Sequence, residues 1–202
     1  TFTPGRDAAR KEASKLNVPR IGVRFRLPAS MNQVEYFGRG PAENYLDRNA
    51  GSMIGLYKST AEELYFPYVR PQENGHHTDT RWVSLSTGKK GLLIQADNTI
   101  GFNALRNSIE DFDDEEATGL PRQWSNFTPE QVANHDEAAA KNVLRRQHHI
   151  NDITPRDFVE VCVDLKQQGV AGYDSWGSRP EPAYTLPANR EYNWGFTLIP
   201  LK

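Results

Sequence analysis

Hydrophobic and polar positions alternate along several short stretches of this chain. Within residues 21–27 every second position is apolar, and two of the positions between are arginines. Because successive side chains of a strand point to opposite faces, this pattern predicts a strand with one buried face. Further strands bounded by Gly, Pro, Asn or Asp are predicted at residues 33–37, 81–86, 91–96, 100–105, 158–165 and 192–199. Their number and spacing favour antiparallel sheets and an all-β fold.

Two stretches depart from this pattern. Residues 110–116 hold six carboxylates in seven positions, a density typical of a solvated loop, and the ligand spacing of a calcium loop is missing. Thr128, Pro129 and Gln131 have the order of a helix start, with an N-cap, a first-turn proline and a capping-box glutamine. A short helix to about Arg146 is predicted, and its thin apolar face places it on the surface.

Composition and charge narrow the function classes. The 202 residues include 37% hydrophobic and 25% charged residues, which is typical of a globular chain, and a single domain is the default expectation. The net charge of −2 provides no basic field for nucleic acid. No apolar run approaches the roughly 20 residues of a membrane helix. Cys162 is the only cysteine, so no internal disulfide forms, and a small buried apolar role is expected for it.

The densest polar stretch between predicted strands is residues 68–82, which includes Asn74. On one interpretation, Glu73 and His76 act as the base and acid of a sugar epimerase. On the favoured interpretation, Glu73 and Arg81 form a partly buried ion pair that holds a long loop.

A glycine-bracketed loop at residues 169–177 follows the strongest predicted strand. It presents Trp176, whose indole matches the C–H face of a pyranose, beside Asp174 and Ser175, which can bind hydroxyls. A hydrophobic plug beneath the loop is the alternative, and composition alone favours neither. His148, His149 and Asp152 are of metal-ligand type, but adjacent residues seldom point at one ion, so no metal site and no cofactor are expected.

Six motifs resemble, in order, the small-chain region of the large multidomain bacterial β-galactosidases, a glycoside hydrolase family. They occupy residues 18–23, 36–48, 67–75, 79–82, 163–170 and 174–177, and the resemblance covers about residues 18–195. The longest reads Tyr-Phe-Gly-Arg-Gly-Pro-Ala-Glu-Asn-Tyr-Leu-Asp-Arg, and the last reads Asp-Ser-Trp-Gly.

The resemblance implies a fold and a function. The fold is a β-supersandwich of the galactose mutarotase-like type over residues 18–202, after a peripheral lead-in at 1–17. The function is retaining hydrolysis of terminal β-D-galactosides by a longer enzyme whose catalytic glutamates lie in a central barrel outside this chain. In the family, the tryptophan of the Asp-Ser-Trp loop stacks on substrate, so Trp176 is expected to do so. The implied partners are the galactoside and the remaining domains, while a homo-oligomer and the cellular location stay open.

The sequence departs from the family pattern in places. Residues 108–148 are longer and more acidic than the usual connection and are interpreted as a surface insertion. Gly172 and Tyr173 stand where many relatives carry Gly-Gly or Gly-Asp, so the sugar contacts of the loop can differ. Two rival functions are a stand-alone aldose mutarotase using Glu73 and His76, and a noncatalytic carbohydrate-binding module with Trp176 as its platform.

Overall fold

The fold is all-β, as the sequence predicts. The computed structural model describes residues 16–112, 150–174 and 177–202. These contain three single-turn 3-10 helices, at Ile109–Asp111, Ile150–Asp152 and Pro182–Tyr184. They also contain seven strands, namely β1 (Arg20–Pro28), β2 (Gln33–Gly40), β3 (Met53–Thr60), β4 (His77–Ser86), β5 (Gly91–Leu105), β6 (Phe158–Gln167) and β7 (Phe196–Leu201).

The chain divides into two compact units. The first comprises Thr1–Phe66, Asn74–Arg106 and Arg156–Lys202, and it holds all seven strands. The second comprises Pro67–Glu73 and Asn107–Pro155. The helix expected from Thr128 to about Arg146, the pair His148 and His149, and most of the acidic run at 110–116 lie outside the described residues.

All strand pairs are antiparallel, and the described strands form one sheet. The order is β1-β6-β5-β4-β2-β3, with β7 paired to β5. The two halves of β5 have different neighbours on one side, because residues 91–96 pair with β7 and residues 101–105 pair with β6. The second sheet of the expected supersandwich stays a prediction.

The strand predictions need several corrections. The strand predicted at 33–37 continues to Gly40, and the strand predicted at 81–86 begins at His77. The segments expected at 91–96 and 100–105 are one continuous strand. The strand β3 is absent from the predictions, because Met53, Ile54 and Leu56 are exposed on this edge strand and give no alternating pattern. The last strand begins at Phe196, and Tyr192 instead packs with Ile21 and Leu186 in a small apolar cluster.

The core lies on the face of the sheet where β2, β4, β5 and β6 place their apolar side chains. Cys162 is also buried and is a free thiol, as expected. On the edge strand β1 only Ile21 is fully buried and Val23 is 44% exposed, so the face predicted to be buried is only partly covered. Residues with no exposed surface include Val83, Leu85, Ile94, Phe102, Val159, Val161 and Val163.

Within the described residues, no helix has the length and hydrophobicity to span a membrane. No group of three or more His, Cys, Asp or Glu in the same part of the chain is arranged to hold a metal ion.

Candidate functional site

The loop after β6 carries the predicted sugar contacts. Asp174 lies in this loop with an exposed side chain. Ser175 and Trp176 lie outside the described residues, so their predicted contacts with sugar stay predictions. The segments on either side of them, up to Asp174 and from Gly177, are described and show how the loop is attached to the domain.

A single carboxylate holds the start of the loop. Val170 N donates to Asp47 Oδ1 at 3.1 Å, and Ala171 N donates to Asp47 Oδ2 at 2.8 Å. Gly169 lies so close to this carboxylate that a Cβ atom there would overlap it. The absence of a side chain at position 169 therefore permits the close approach.

Past this anchor the backbone turns sharply. Ala171 has φ 56° and Gly172 has φ 94°, so both lie in the left-handed region. Ser178 Oγ then accepts hydrogen bonds from Tyr173 N at 3.1 Å and from Asp174 N at 3.4 Å. The hydroxyl of Ser178 thereby ties the two ends of the loop segment that contains Trp176.

Asp47 stands on a tight turn that is well supported. The backbones of Tyr45 and Arg48 bond to each other in both directions, at 3.3 Å and 2.8 Å, which places Asp47 in the turn between them. Arg48 pairs with Glu43 at 2.6 Å, and its guanidinium lies over the Tyr45 ring at 5.1 Å. The buried Tyr45 ring stacks on His76, with centroids 5.5 Å apart.

Beneath this turn lies a buried polar cluster. Arg20 Nε donates to Asp164 Oδ2 at 2.9 Å, and Arg20 Nη2 donates to Asn103 Oδ1. Asn103 Nδ2 donates to the Asn74 carbonyl at 2.7 Å, so Asn103 Oδ1 faces His76 Nδ1, 2.8 Å away. Since Oδ1 can only accept, the neutral His76 ring carries its hydrogen on Nδ1.

His76 is neutral in this environment. Burial, followed by the positive charge of Arg20, lowers the pKa of His76 from 6.5 to about 3, and the hydrogen bond to Asn103 opposes this only in part. Only 1% of the His76 surface is exposed. A ring so buried is poorly placed to exchange protons with a sugar in solution, which argues against the mutarotase interpretation.

The neighbouring His77 is also buried. Its Nδ1 lies 3.1 Å from the Gly75 carbonyl and its Nε2 lies 3.2 Å from the Pro41 carbonyl. Burial lowers the pKa of His77 below its ordinary value, although both carbonyls favour the protonated ring. The neutral ring can donate to only one of these carbonyls at a time.

The remaining candidate residues of the stretch 68–82 are Asn74, Arg81 and Glu73. Asn74 is buried, and its Oδ1 accepts a hydrogen bond from Phe66 N at 3.2 Å. Arg81 donates to the Asp79 carbonyl at 2.5 Å and lies over the Phe37 ring at 5.7 Å. Glu73 is partly exposed and belongs to the second unit, so its expected pairing with Arg81 stays a prediction.

Sequence reasoning overlooked several residues of this arrangement. Asp47 was part of a recognised motif, but nothing in the motif indicates that it binds a loop more than 120 residues away. Arg20 and Asp164 are separated by 144 positions. One set of ion pairs could have been predicted from the sequence, because acidic residues of β6 face arginines of β1. Glu160 accordingly pairs with Arg24 at 3.5 Å and with Arg26 at 3.0 Å.

Comparisons with known proteins agree with the resemblance of the motifs. A β-galactosidase of Priestia megaterium (strain DSM 319 / IMG 1521) is 35% identical over 185 residues, covering 91% of this chain and 15% of the relative. A β-galactosidase of Arthrobacter sp. (strain B7) is 40% identical over 111 residues, covering 52% of this chain and 11% of the relative. A β-galactosidase of Vibrio cholerae (strain ATCC 39541) is 29% identical over 181 residues, covering 90% of this chain and 14% of the relative.

The matched relatives are much longer than this chain. The chain spans about 15% or less of the length of these relatives. A family model described as "Beta galactosidase small chain" matches residues 3–198, which contain all six motifs and the Asp47 anchor of the loop. The protein therefore belongs to the β-galactosidase small-chain family.

Proposed function

We propose that this chain is the small-chain part of a β-galactosidase that hydrolyses terminal β-D-galactosides with retention of configuration. The catalytic carboxylates of the enzyme lie outside this chain, in a central barrel, and the small-chain part contributes to substrate binding. In this proposal Trp176 stacks on the sugar, and Asp174 and Ser175 bind its hydroxyls. The partners are the galactoside and the remaining domains of the same enzyme.

The observation that carries this proposal is the attachment of the loop to the domain. Asp47, from the motif at 36–48, binds the backbone of Val170 and Ala171, just ahead of the Asp-Ser-Trp motif. Two segments that carry the family resemblance are thus joined at the base of one loop. A loop fixed at its base can present an aromatic ring to a substrate with little loss of conformational entropy on binding.

The chemistry of the loop suits a sugar. A pyranose offers a C–H face that an indole can cover, and its hydroxyls need polar partners at the edge of the ring. The exposed side chain of Asp174 supplies such a partner. The remaining chemistry, attack by a nucleophilic carboxylate and proton donation by a second one, requires a pair of carboxylates at a fixed separation.

The test uses the full-length enzyme with lactose and with an aryl β-galactoside, against the matching β-glucosides as a control. Absence of β-galactoside hydrolysis would refute the enzyme assignment. Trp176→Ala should raise KM for lactose about 2- to 12-fold, the effect of one aromatic stack of about 0.5–1.5 kcal/mol, with a smaller change in kcat. Trp176→Phe, which keeps an aromatic face, should recover part of the affinity. An unchanged KM in Trp176→Ala would contradict the sugar-contacting role of the loop.

A further inference from the structure

We propose that Asp47 is a positioning residue for substrate binding, which acts on KM by fixing the loop that carries Trp176. The inference rests on the proposed function and deepens it. Asp47 is not a catalytic residue on this view, since its carboxylate is engaged by the backbone of the loop.

The first argument is the geometry of the carboxylate. Each oxygen of Asp47 accepts one backbone N–H, and the two donors are the consecutive residues Val170 and Ala171. A charged acceptor with two fixed donors determines both the distance and the orientation of the backbone. An asparagine at this position would have one accepting oxygen, so it can satisfy only one of the two donors fully.

The second argument is the conformation of the loop. Ala171 has φ 56°, a left-handed conformation that is unfavourable for a residue with a Cβ atom. Its N–H is one of the two that bind Asp47. Without that acceptor, the N–H of Ala171 loses a hydrogen bond that holds this left-handed conformation at the start of the loop.

The third argument is that Asp47 itself is held firmly. The backbone of the turn is closed by two hydrogen bonds between Tyr45 and Arg48. The Tyr45 side chain is 1% exposed and stacks on His76. The position of the carboxylate is thus set by the core of the domain, which is the support that a positioning residue requires.

The experiment compares variants in the full-length enzyme. Asp47→Ala should raise KM for lactose about 2- to 12-fold, up to the increase produced by Trp176→Ala, while kcat stays within about twofold. Asp47→Asn should give a smaller increase in the same direction. Asp79→Asn is the matched control, because Asp79 is a partly exposed carboxylate that binds Arg39, and no hydrogen bond joins it to the described residues of the loop. The KM of this variant should not change.

A double-variant cycle separates positioning from an independent effect. If Asp47 acts through the loop, then Asp47→Ala combined with Trp176→Ala should raise KM by less than the product of the two single increases, since both variants affect the same sugar contacts. A purely structural role would instead lower the amount of active enzyme without a selective change in KM. Additive increases in KM, or a loss confined to kcat, would overturn the inference.

Gly169 gives a second approach that leaves Asp47 in place. Gly169→Ala should raise KM, because its Cβ atom would overlap the Asp47 carboxylate and displace it. The same substitution in the Asp47→Ala background should raise KM less, since alanine lacks the carboxylate and keeps only the Cβ atom, 3.0 Å from the added methyl group. Gly169→Ala by itself still tests the inference if Asp47→Ala does not fold.

The outcomes distinguish the two proposals. If Trp176→Ala raises KM and the Asp47 and Gly169 variants leave it unchanged, the positioning role is refuted and the proposed function stands. If Trp176→Ala leaves KM unchanged, the sugar-contacting role of the loop is refuted, and the positioning inference is refuted with it.

Discussion

Replacing His76 should make the domain less sensitive to acid. Burial and the charge of Arg20 lower the pKa of His76 in the folded protein from 6.5 to about 3. Between these two values the unfolded chain binds a proton at position 76 and the folded chain does not. The free energy of unfolding therefore falls as the pH falls from about 6.5 toward 3, and the site contributes no pH dependence above that window.

The pH dependence of the free energy of unfolding can be calculated, because His76 binds one proton in the unfolded state and none in the folded state within this window. The slope within the window approaches about 1.4 kcal/mol per pH unit. Because the unfolded histidine is only partly protonated near pH 6.5, the accumulated loss between pH 7 and pH 5 is about 2 kcal/mol. His76→Gln removes this contribution, while its side-chain amide can still donate to Asn103 Oδ1. The variant also loses the stack on Tyr45, which lowers stability by an amount independent of pH.

The assay is urea-induced unfolding of the chain, followed by tryptophan fluorescence at several pH values from 5 to 7.5. The difference in unfolding free energy between wild type and His76→Gln should shrink by about 2 kcal/mol from pH 7 to pH 5, because only the wild type loses this contribution. Carboxylates that titrate in the same range are common to both proteins and cancel. Parallel pH profiles would refute the reasoning. An NMR titration gives a second check, in which the His76 resonance of the folded protein is the one missing from His76→Gln. A titration midpoint near 6.5 for this resonance would also refute the reasoning.

Two further predictions concern the same region. Gly101→Ala should lower the unfolding free energy by about 1–3 kcal/mol, because a Cβ atom there would overlap the His76 ring. Gly51→Ala is the control in the same urea titration and should have a small effect, since a Cβ atom at position 51 meets nothing within 4 Å. The chain should not accelerate the mutarotation of α-galactose in polarimetry, since His76 is buried and neutral, and acceleration abolished by His76→Gln would contradict this assignment.

The strands were predictable where one pattern dominates. The alternation at 21–27 and the apolar run at 158–165 correspond to β1 and β6. The break expected between residues 96 and 100 did not occur, because strand pairs on both sides of the polar residues 97–99 keep the chain extended. Residues 91–96 pair with β7, residues 101–105 pair with β6, and β4 pairs on both sides. Pairing partners of this kind are distant in sequence, and tertiary contacts override local preference.

The candidate site was predictable only in part, for a similar reason. The motif at residues 174–177 identified the loop, since the residues needed for stacking and hydroxyl binding are adjacent in sequence. The anchor of the loop at Asp47 could not be derived, because a hydrogen bond across more than 120 positions leaves no local pattern. The pairing of Arg20 with Asn103 and Asp164 is hidden in the same way.

The buried polar cluster connects to the loop through a series of direct contacts. His76 is bound by Asn103 and stacks on Tyr45, and Tyr45 closes the turn that carries Asp47. Buried polar groups are rarely the most stabilising choice for a core, but a fully hydrogen-bonded network permits few alternative arrangements. The polar cluster therefore suits a domain whose role in the proposed enzyme is to hold one loop in one position.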